Sequence, residues 1–514
     1  MKHHYGMQAI KDNLAHFLLG KTVSAVSSLA VMLLVARILP VAEFAAYTVF
    51  QALVLLVQKF SDFGAGQTVV RYVPELRSTN NNFPMYRLIF RGTLTRLIVV
   101  PTILGIGWLT FSTWAPLVNL EQWLPWLTLY IPVGMLRLMN SFVSRAMESL
   151  LWQKFTQYSM AAGALVRLAA VIWMIDQESF TLYNVILMDL ISEGLILVCL
   201  TAGFFHRWSS DPRRSEGNRS WLRDNRARLR RFGAWGYLQT TTSAFYGGSA
   251  NRVAASAVLM PFEVGLFGFV DSLTQYGQRY LPTRMAHGMI QPIFFARYSQ
   301  SQDFSDLARL ANLMFRISLF AVGLPTVVLL AGGSQLLDWV SAGKYGQAAY
   351  LIAGMMGVLS LDSLRSQMQI MMQAVERNEI FPITNLVLSI SFPLALVLVP
   401  YLGLWSFVAS SGISNILALS IMTFWLRRLG LNFRFEWWLA FKAVIAILAS
   451  GFIGAIVSES AGNWLGICAA VVLYPLVTLI WPPITAAERS ILKVALKNRK
   501  NRKGSQRKKS PEDY

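Results

Sequence analysis

Charged and amide side chains interrupt several long apolar stretches of the 514-residue chain. A charge placed in hydrocarbon costs at least about 2.5–3.5 kcal/mol, so such groups usually face a polar cavity or a charged partner. Basic groups in this setting suit a ligand that carries negative charge. The residues predicted to contact such a ligand are Lys21, Lys59, Asn251, Arg252 and Arg279.

The basic positions have structural interpretations as well. Lys21 and Arg252 fit pairing within the protein as well as they fit ligand contact. Lys59 could extend toward the membrane surface or pair with Asp62 at the i,i+3 spacing. A cation-binding protein would need an acid in the first apolar stretch, where this chain has Lys21.

A second set of charges is predicted to form gates or ion pairs. Glu43 and Glu263 lie just outside two predicted helices and could close an outer gate against Arg37 or Arg252. The full set is Arg37, Glu43, Asp62, Glu263 and Asp271. Arg167 and the acids Asp189 and Glu193 lie in adjacent predicted helices, which predicts a structural ion pair. A proton relay through the two acids is the alternative.

The sequence contains no arrangement of residues typical of an enzyme. The five histidines lack metal-ligand spacing, and no glycine-rich phosphate-binding loop with its lysine is present. Cys199 and Cys468 each lie within an apolar stretch, where a thiol usually packs as a small apolar group. We therefore predict no enzymatic activity, no metal and no cofactor.

The elements that position these residues are predicted to be membrane-spanning helices. Apolar residues make up 54% of the chain and charged residues 14%, with a mean hydropathy of +0.46. A helical span needs about 20 mostly apolar residues, which predicts an all-α membrane protein with about fourteen transmembrane helices. The predicted spans are residues 16–38, 44–64, 92–112, 122–143, 157–176, 182–205, 233–258, 262–281, 312–331, 347–370, 381–400, 404–426, 439–458 and 464–482.

Basic residues collect in alternate loops between these spans. Loops 66–91 and 206–231 are rich in arginine, whereas 112–122 and 176–183 contain no positive charge. Because cytoplasmic loops collect Lys and Arg, both termini are predicted to face the cytoplasm. The net charge of +20 then reflects topology, and nucleic acid is not a predicted partner. The basic tail 485–514 is expected to contact anionic membrane lipids.

Short similarities between the two halves predict an internal duplication. Residues 39–47 resemble 259–267, residues 70–72 resemble 296–298, and residues 147–155 resemble 372–380. An even number of spans per repeat gives two six-helix repeats in parallel orientation, with the functional site at their interface. The predicted domains are an N-terminal six-helix bundle at 1–205, a basic cytoplasmic loop at 206–231, a C-terminal six-helix bundle at 232–430, two additional transmembrane helices at 431–484 and a basic cytoplasmic tail at 485–514.

Residues 239–251 contain a cluster of hydroxyl side chains and few large aliphatic groups. Such a segment would be a poor lipid-facing span, which predicts that it lines water or a ligand. Close helix packing through Gly247 and Gly248 is the alternative.

Several of these residues carry a resemblance to a known family. The stretch Val35–Pro40 with Glu43 and Tyr47, followed by Asp62–Gly64 and Val70–Tyr72, resembles the first two helices of polysaccharide-biosynthesis flippases. These belong to the multidrug/oligosaccharidyl-lipid/polysaccharide exporter superfamily, with lipid II flippases and multidrug and toxin extrusion (MATE) transporters. The resemblance implies a MATE-like fold for both repeats.

Helix seven of this family often ends with a small residue, an acid and a base. Here Asn251 takes the position of the acid, while Arg252 keeps the base. The resemblance implies alternating-access transport of a polyprenyl-pyrophosphate-linked oligosaccharide from the inner to the outer leaflet of the bacterial cytoplasmic membrane, for O-antigen or exopolysaccharide biosynthesis. Expected partners are this lipid-linked oligosaccharide, anionic lipids and other polysaccharide-assembly proteins. The alternatives are a small-molecule exporter of the same fold and a membrane polymerase or ligase, for which the outer loops are short.

Overall fold

The computed structural model describes residues 7–281, 304–375, 379–431 and 433–481. Every regular element in these ranges is an α- or 3₁₀-helix. The helices are α1 (Met7–Ile38), α2 (Val41–Phe60), α3 (Ala65–Ser78), α4 (Asn82–Leu109), α5 (Phe111–Trp114), α6 (Leu124–Ser149), α7 (Gln153–Asp176), α8 (Leu182–Ser209), α9 (Trp221–Asp224), α10 (Arg226–Thr242), α11 (Gly248–Val258), α12 (Pro261–Tyr280), α13 (Phe304–Ser341), α14 (Ala348–Ala374), α15 (Ile380–Ser389), α16 (Ser391–Leu402), α17 (Trp405–Arg428), α18 (Trp437–Ala461) and α19 (Asn463–Ile480).

The prediction of an all-helical membrane protein is confirmed. Within the described residues, ten segments are long and apolar enough to cross a membrane. They are Leu19–Ile38, Val41–Phe60, Asn82–Leu109, Gln153–Asp176, Leu182–Ser209, Leu307–Ser341, Ile380–Leu402, Trp405–Arg428, Trp437–Ala461 and Asn463–Ile480. Each predicted span overlaps a helix, but the count of about fourteen stays a prediction.

The region predicted as the loop 66–91 is largely helical, so that prediction is wrong. It contains α3, and α4 begins at Asn82, before the predicted start of the third span. Helix α3 buries Val69, Val73 and Leu76 on one face, while Arg71 on the other face is exposed. A search for continuous apolar runs misses such an amphipathic helix, because its apolar residues recur with the helical period instead.

The helices form two compact units. The first unit comprises Met1–Tyr276, Ser334–Val358 and Glu379–Met422, and the second comprises Gly277–Gly333, Leu359–Asn378 and Thr423–Tyr514. Both units contain helices from the second predicted repeat, so this division does not test the repeat. The predicted domain boundaries stay a prediction, and the basic tail at 485–514 lies outside the described residues.

The core of the first unit is built on α6. Phe142, Ala146 and Met147 of this helix are almost fully buried against apolar residues of α3, α4 and α8. A Cβ on Gly134, also on α6, would lie 2.9 Å from a methyl group of Val54, so α2 packs closely on the same helix. Helix α6 therefore holds the C-terminal half of α2 in place, where several of the predicted site residues lie.

Candidate functional site

The segment predicted as the continuous span 233–258 is interrupted in the structure, which corrects that prediction. Helix α10 ends at Thr242, a 3₁₀ turn follows at Ser243–Phe245, and α11 begins at Gly248. Gly247 has φ +87° and ψ −177°, a conformation that essentially only glycine adopts. Thr240 and Ser243 donate their hydroxyls to carbonyls one turn back, and such bonds compete with helical hydrogen bonding.

Lys59, near the C-terminal end of α2, lies at this interruption. Its Nζ donates to the Ser243 carbonyl oxygen at 2.6 Å and lies 6.0 Å from the ring centroid of Tyr246. A cation suits this position because the last carbonyls of a helix carry partial negative charge. None of the carboxylates in the described part of the chain pairs with Lys59, so its charge has only neutral partners.

Polar residues of α15 contact the interruption from another side. Ser389 donates its hydroxyl to the Thr242 carbonyl at 3.3 Å. Tyr246 donates its hydroxyl to Asn385 Oδ1 at 3.2 Å. Carbonyl groups that the interruption leaves without helical partners are thus satisfied by side chains, as buried backbone groups require.

Asp62 has partners other than Lys59, so the suggested pairing of these two residues is wrong. The Asp62 carboxylate accepts a hydrogen bond from Arg96, and both side chains are almost fully buried. Arg145 on α6 lies 4.0 Å from the same carboxylate and is partly exposed. The sequence could not give this arrangement, since Arg96 comes from a helix that follows a loop and a further helix.

Lys21 on α1 lies near Glu148 at the C-terminal end of α6. Burial raises the pKa of the Glu148 carboxyl, and the positive charges of Lys21 and Arg145 act in the opposite direction. The C-terminal end of α6 therefore brings together Lys21, Arg145 and Glu148, with Asp62 also close to Arg145. Arg145 and Glu148 were not among the predicted site residues, although both lie next to the end of a predicted span.

Arg252 and Asp271 form a buried ion pair between α11 and α12. The guanidinium donates to the Asp271 carboxylate and to the Ser272 hydroxyl, the latter at 2.9 Å. It also contacts the Thr48 carbonyl of α2 at 3.5 Å, and Gln275 donates to Asp271 at 2.9 Å. With Arg252 only 3% exposed, the charge is neutralised inside the protein.

Asn251, next to this pair, is almost fully buried on the other side of α11. Its Nδ2 donates to the Ser411 hydroxyl at 3.2 Å. Its Oδ1 has no hydrogen-bond partner among the described residues. An unsatisfied buried acceptor is costly, so this oxygen is a candidate for contact with a hydroxyl-bearing ligand.

The predicted gating residues do not pair with one another in this conformation. Glu43 accepts from the backbone N–H of Leu182 at 3.2 Å, and Glu263 accepts from that of Met260 at 3.1 Å. Arg37 donates to the Trp339 carbonyl at 2.7 Å. The gate between these acids and Arg37 or Arg252 therefore stays a prediction. Arg279 is exposed near the end of α12, in the second unit.

Arg167, Asp189 and Glu193 lie together in a buried network of α6, α7 and α8. Arg167 lies 3.0 Å from Asp189 and 3.2 Å from Glu193. Arg137 of α6 joins them, 2.9 Å from Glu193, which balances two acids with two bases. Tyr47 of α2 donates its hydroxyl to Asp189 at 2.9 Å. Arg137 was not among the predicted site residues, although its position inside a predicted span was a sufficient signal.

At the opposite end of α2 from Lys59, a cavity of about 480 Å³ has a largely apolar lining. It is lined on one side by α2 and on the other by the loop around Asn119 and the end of α11. Asn119 donates to the Ser256 carbonyl at 2.9 Å and so ties the loop to α11. The basic groups and this cavity thus occupy opposite ends of α2.

Comparison with known proteins gives the chain a family and a fold. The family described as polysaccharide biosynthesis protein matches residues 10–294, more than half of the chain. No curated protein is similar enough to count as a match. The predicted resemblance is confirmed by this match and by the solved structures that share the fold.

Three solved structures illustrate the shared fold. The lipid II flippase MurJ in an inward closed conformation has a TM-score of 0.65 at 9% identity, covering 90% of this chain and 98% of that one. An inward-facing multidrug resistance MATE family transporter of the MOP superfamily has a TM-score of 0.62 at 14% identity, with coverages of 79% and 94%. The MATE multidrug transporter DinF-BH in complex with R6G has a TM-score of 0.55 at 14% identity, with coverages of 84% and 98%. At these identities the likeness concerns the fold alone.

Proposed function

Because the chain belongs to the polysaccharide biosynthesis protein family, we propose that it is a flippase for a polyprenyl-diphosphate-linked oligosaccharide. It carries this lipid from the inner to the outer leaflet of the bacterial cytoplasmic membrane, with both termini in the cytoplasm. The sugar head crosses through polar surfaces inside the protein by alternating access, while the polyprenyl tail stays in the lipid. The process involves no enzymatic step.

The observation that carries the proposal is the position of Lys59 at the interrupted helix. Its ammonium group has a carbonyl and an aromatic ring as neighbours, and no paired acid in the described ranges. Because Lys59 is partly exposed, it can leave the Ser243 carbonyl for a stronger acceptor. A diphosphate is such an acceptor, because charge-assisted hydrogen bonds are about twice as strong as neutral ones.

Neighbouring charges add to the same preference for an anion. Lys21 and Arg145 lie beside Glu148, and the acid Asp62 is already bound by Arg96. The inner end of the first unit therefore keeps an excess of positive charge. An organic cation would be repelled there, whereas a diphosphate would be attracted.

The polar lining also addresses the main cost of moving a sugar across a membrane. Each hydroxyl that loses its water without a new hydrogen bond costs several kcal/mol in hydrocarbon, roughly 4–8 by the alkane scale. Hydroxyl and amide groups at 239–251, including the unsatisfied Asn251 Oδ1, offer replacement partners. Moving negative charge out of a negative-inside cell also gains about 2.3 kcal/mol per charge per 100 mV, which favours export.

Arg252 is assigned a different role here from the ligand contact that its sequence position predicted. Its charge is neutralised by Asp271 and its surface is buried, which supports charge pairing over direct contact with the diphosphate. The contact to the Thr48 carbonyl links this pair to α2, the helix that carries Lys59. We infer that Arg252 and Asp271 position α11 against α2.

Transport by the purified protein in proteoliposomes tests the proposal. A labelled polyprenyl-diphosphate oligosaccharide is placed in the inner leaflet, and its appearance outside is followed with an external glycosidase. Lys59→Ala is expected to slow transport about ten-fold or more, the equivalent of one lost charge-assisted contact. Lys59→Arg should keep most of the rate, and Lys154→Ala, at an exposed lysine on α7, should keep all of it.

A wild-type rate for Lys59→Ala would overturn the assignment of the site. Failure of the wild-type protein to move the labelled lipid, together with binding of organic cations, would favour the small-molecule exporter. Lengthening of the glycan in the same vesicles would favour a membrane polymerase or ligase. These results are separable because transport, binding and glycan length are measured independently.

A further inference from the structure

A pocket of about 750 Å³ lies at the N-terminal ends of α4 and α10, away from the interruption at 243–247. Five of its seven lining residues are arginines, and none is acidic. Arg87 and Arg91 come from consecutive turns of α4, and the others come from the segment around α9. The lining residues are Arg87, Arg91, Arg219, Ser220, Leu222, Arg223 and Arg226.

The segment that carries the second group of arginines is fixed against α4. The backbone N–H of Phe83 donates to the Glu216 carbonyl at 2.8 Å, and the N–H of Asn218 donates to Asn81 Oδ1 at 3.1 Å. Gly217 has φ +113°, and a Cβ there would lie 2.8 Å from the Asn81 Cα. The chain therefore needs glycine at this close approach, and the arginines are held in place before any ligand binds.

Most of these arginines have no acidic partner in the part of the chain that the structure describes. Among the described residues the one ion pair of the group joins Arg223 to Asp224 at 3.8 Å, with both side chains largely exposed. Arg87 and Arg219 lie 6.0 and 5.5 Å from the ring centroid of Phe83, a contact that supplies no negative charge. Like charges gathered in one pocket repel, and an anion would remove that repulsion.

The pocket lies where a lipid headgroup would be. Helix α4 is one of the candidate spans, and Arg87 and Arg91 occupy its first turns. Phe90, between them, packs edge-on against Phe204 and Trp208 of α8. Trp is enriched at the membrane–water interface, so Trp208 and the arginines in the first turns of α4 indicate that the pocket opens at the level of the lipid phosphates.

We propose that this pocket binds a lipid headgroup that carries two phosphates. The planar guanidinium binds phosphate oxygens through two parallel hydrogen bonds, and basic pockets at the ends of spans suit phosphate-bearing lipids. The volume is within the range of small-ligand sites and leaves room for two phosphates among five guanidinium groups. The two sources of such a headgroup are a polyprenyl diphosphate and a phospholipid with two phosphodiesters. The choice of a polyprenyl diphosphate rests on the proposed function, whereas the binding of a two-phosphate headgroup by the pocket does not.

Binding to the full-length protein in phosphatidylcholine nanodiscs tests this pocket. Three probes are titrated and measured by native mass spectrometry: a polyprenyl diphosphate, cardiolipin with two phosphates and phosphatidylglycerol with one. The variant Arg87→Gln/Arg91→Gln/Arg219→Gln removes three charges from the pocket. The matched control Arg213→Gln/Arg230→Gln/Arg231→Gln removes three exposed charges nearby that do not line it.

The pocket variant is expected to bind the preferred two-phosphate lipid about a thousand-fold more weakly than wild type, since it loses three guanidinium contacts worth about ten-fold each. The control should change binding by less than about three-fold, and phosphatidylglycerol should bind less tightly than the two-phosphate lipid. Preference for the polyprenyl diphosphate or for cardiolipin identifies the source, and either upholds the pocket.

Equal binding by the pocket variant and its control, or by the pocket variant and wild type, would overturn the proposal. Lys59→Ala should leave the binding of cardiolipin to this pocket unchanged while it slows transport. The pocket and the proposed function can therefore fail separately.

Discussion

Replacing Arg252 is expected to lower the free energy of unfolding, because its partners are groups of the protein itself. Arg252 and Asp271 are 3% and 2% exposed, so Arg252→Ala leaves a buried carboxylate with only the Gln275 amide as a partner. The Ser272 hydroxyl and the Thr48 carbonyl also lose a donor. Breaking a buried pair on one side costs about 3–5 kcal/mol, and we expect this loss in the free energy of unfolding.

The second substitution Asp271→Asn should recover part of this loss. It removes the uncompensated charge and keeps an oxygen that can accept from Gln275, so the double variant should regain about 2 kcal/mol or more. The surface pair Arg71–Glu75 provides the control, because Arg71 is half-exposed and Glu75 retains Arg228 as a partner. Arg71→Ala should cost about 0.5 kcal/mol or less.

Reversible unfolding in mixed micelles, titrated with sodium dodecyl sulfate, measures these free energies. If Arg252→Ala were as stable as Arg71→Ala, the pair would not carry the packing assigned to it. If the double variant were no more stable than Arg252→Ala, the buried charge would not be the cause. Loss of transport by the stable double variant would instead point to direct contact between Arg252 and the ligand.

Three further outcomes follow from the same contacts. Gly247→Ala should lower the stability by about 1–3 kcal/mol in thermal unfolding; the cause is its backbone conformation, because nothing lies within 4 Å of the added Cβ. The control Gly105→Ala, in the equally open interior of α4, should be neutral or stabilising in the same measurement. Glu193→Gln leaves the two partly buried arginines, Arg137 and Arg167, with one acid and should cost about 3 kcal/mol or more. Glu121→Gln, at an exposed residue, should cause no measurable loss. Adding a polyprenyl diphosphate should raise deuterium uptake at 243–248 in the wild-type protein but not in Lys59→Ala. Equal uptake in both proteins would show that the ligand does not act on the helix interruption through Lys59.

The helical membrane fold could be predicted from the sequence because it depends on the length of apolar runs. Each predicted span overlaps a helix, since a run of about 20 apolar residues has few other stable conformations in lipid. The helix α3 could not be found this way, because one of its faces is polar. The interruption at 243–247 was also missed, since hydroxyl-rich residues fit a polar helix face as well as a break.

The charged residues of the site could be identified individually, but their partners could not. Arg167, Asp189 and Glu193 were grouped because their helices are adjacent in sequence, and they lie together in the structure. The partner of Asp62 is Arg96, which no spacing rule connects to it. Pairing between distant helices depends on how they pack, and a single sequence carries no direct record of that packing.

The contrast between the buried pairs and Lys59 suggests how ligand binding and conformation are coupled. Arg252 and Arg96 are each held by a buried acid, and moving either would leave an unpaired charge. Among the described residues, Lys59 is held by two neutral groups, the Ser243 carbonyl at the end of an interrupted helix and the Tyr246 ring. A diphosphate that binds Lys59 must therefore draw the ammonium group away from that helix end, where a positive charge is stabilising. A ligand shifts a conformational equilibrium only by its different affinity for the two states, and the competition between diphosphate and carbonyl for one ammonium supplies such a difference.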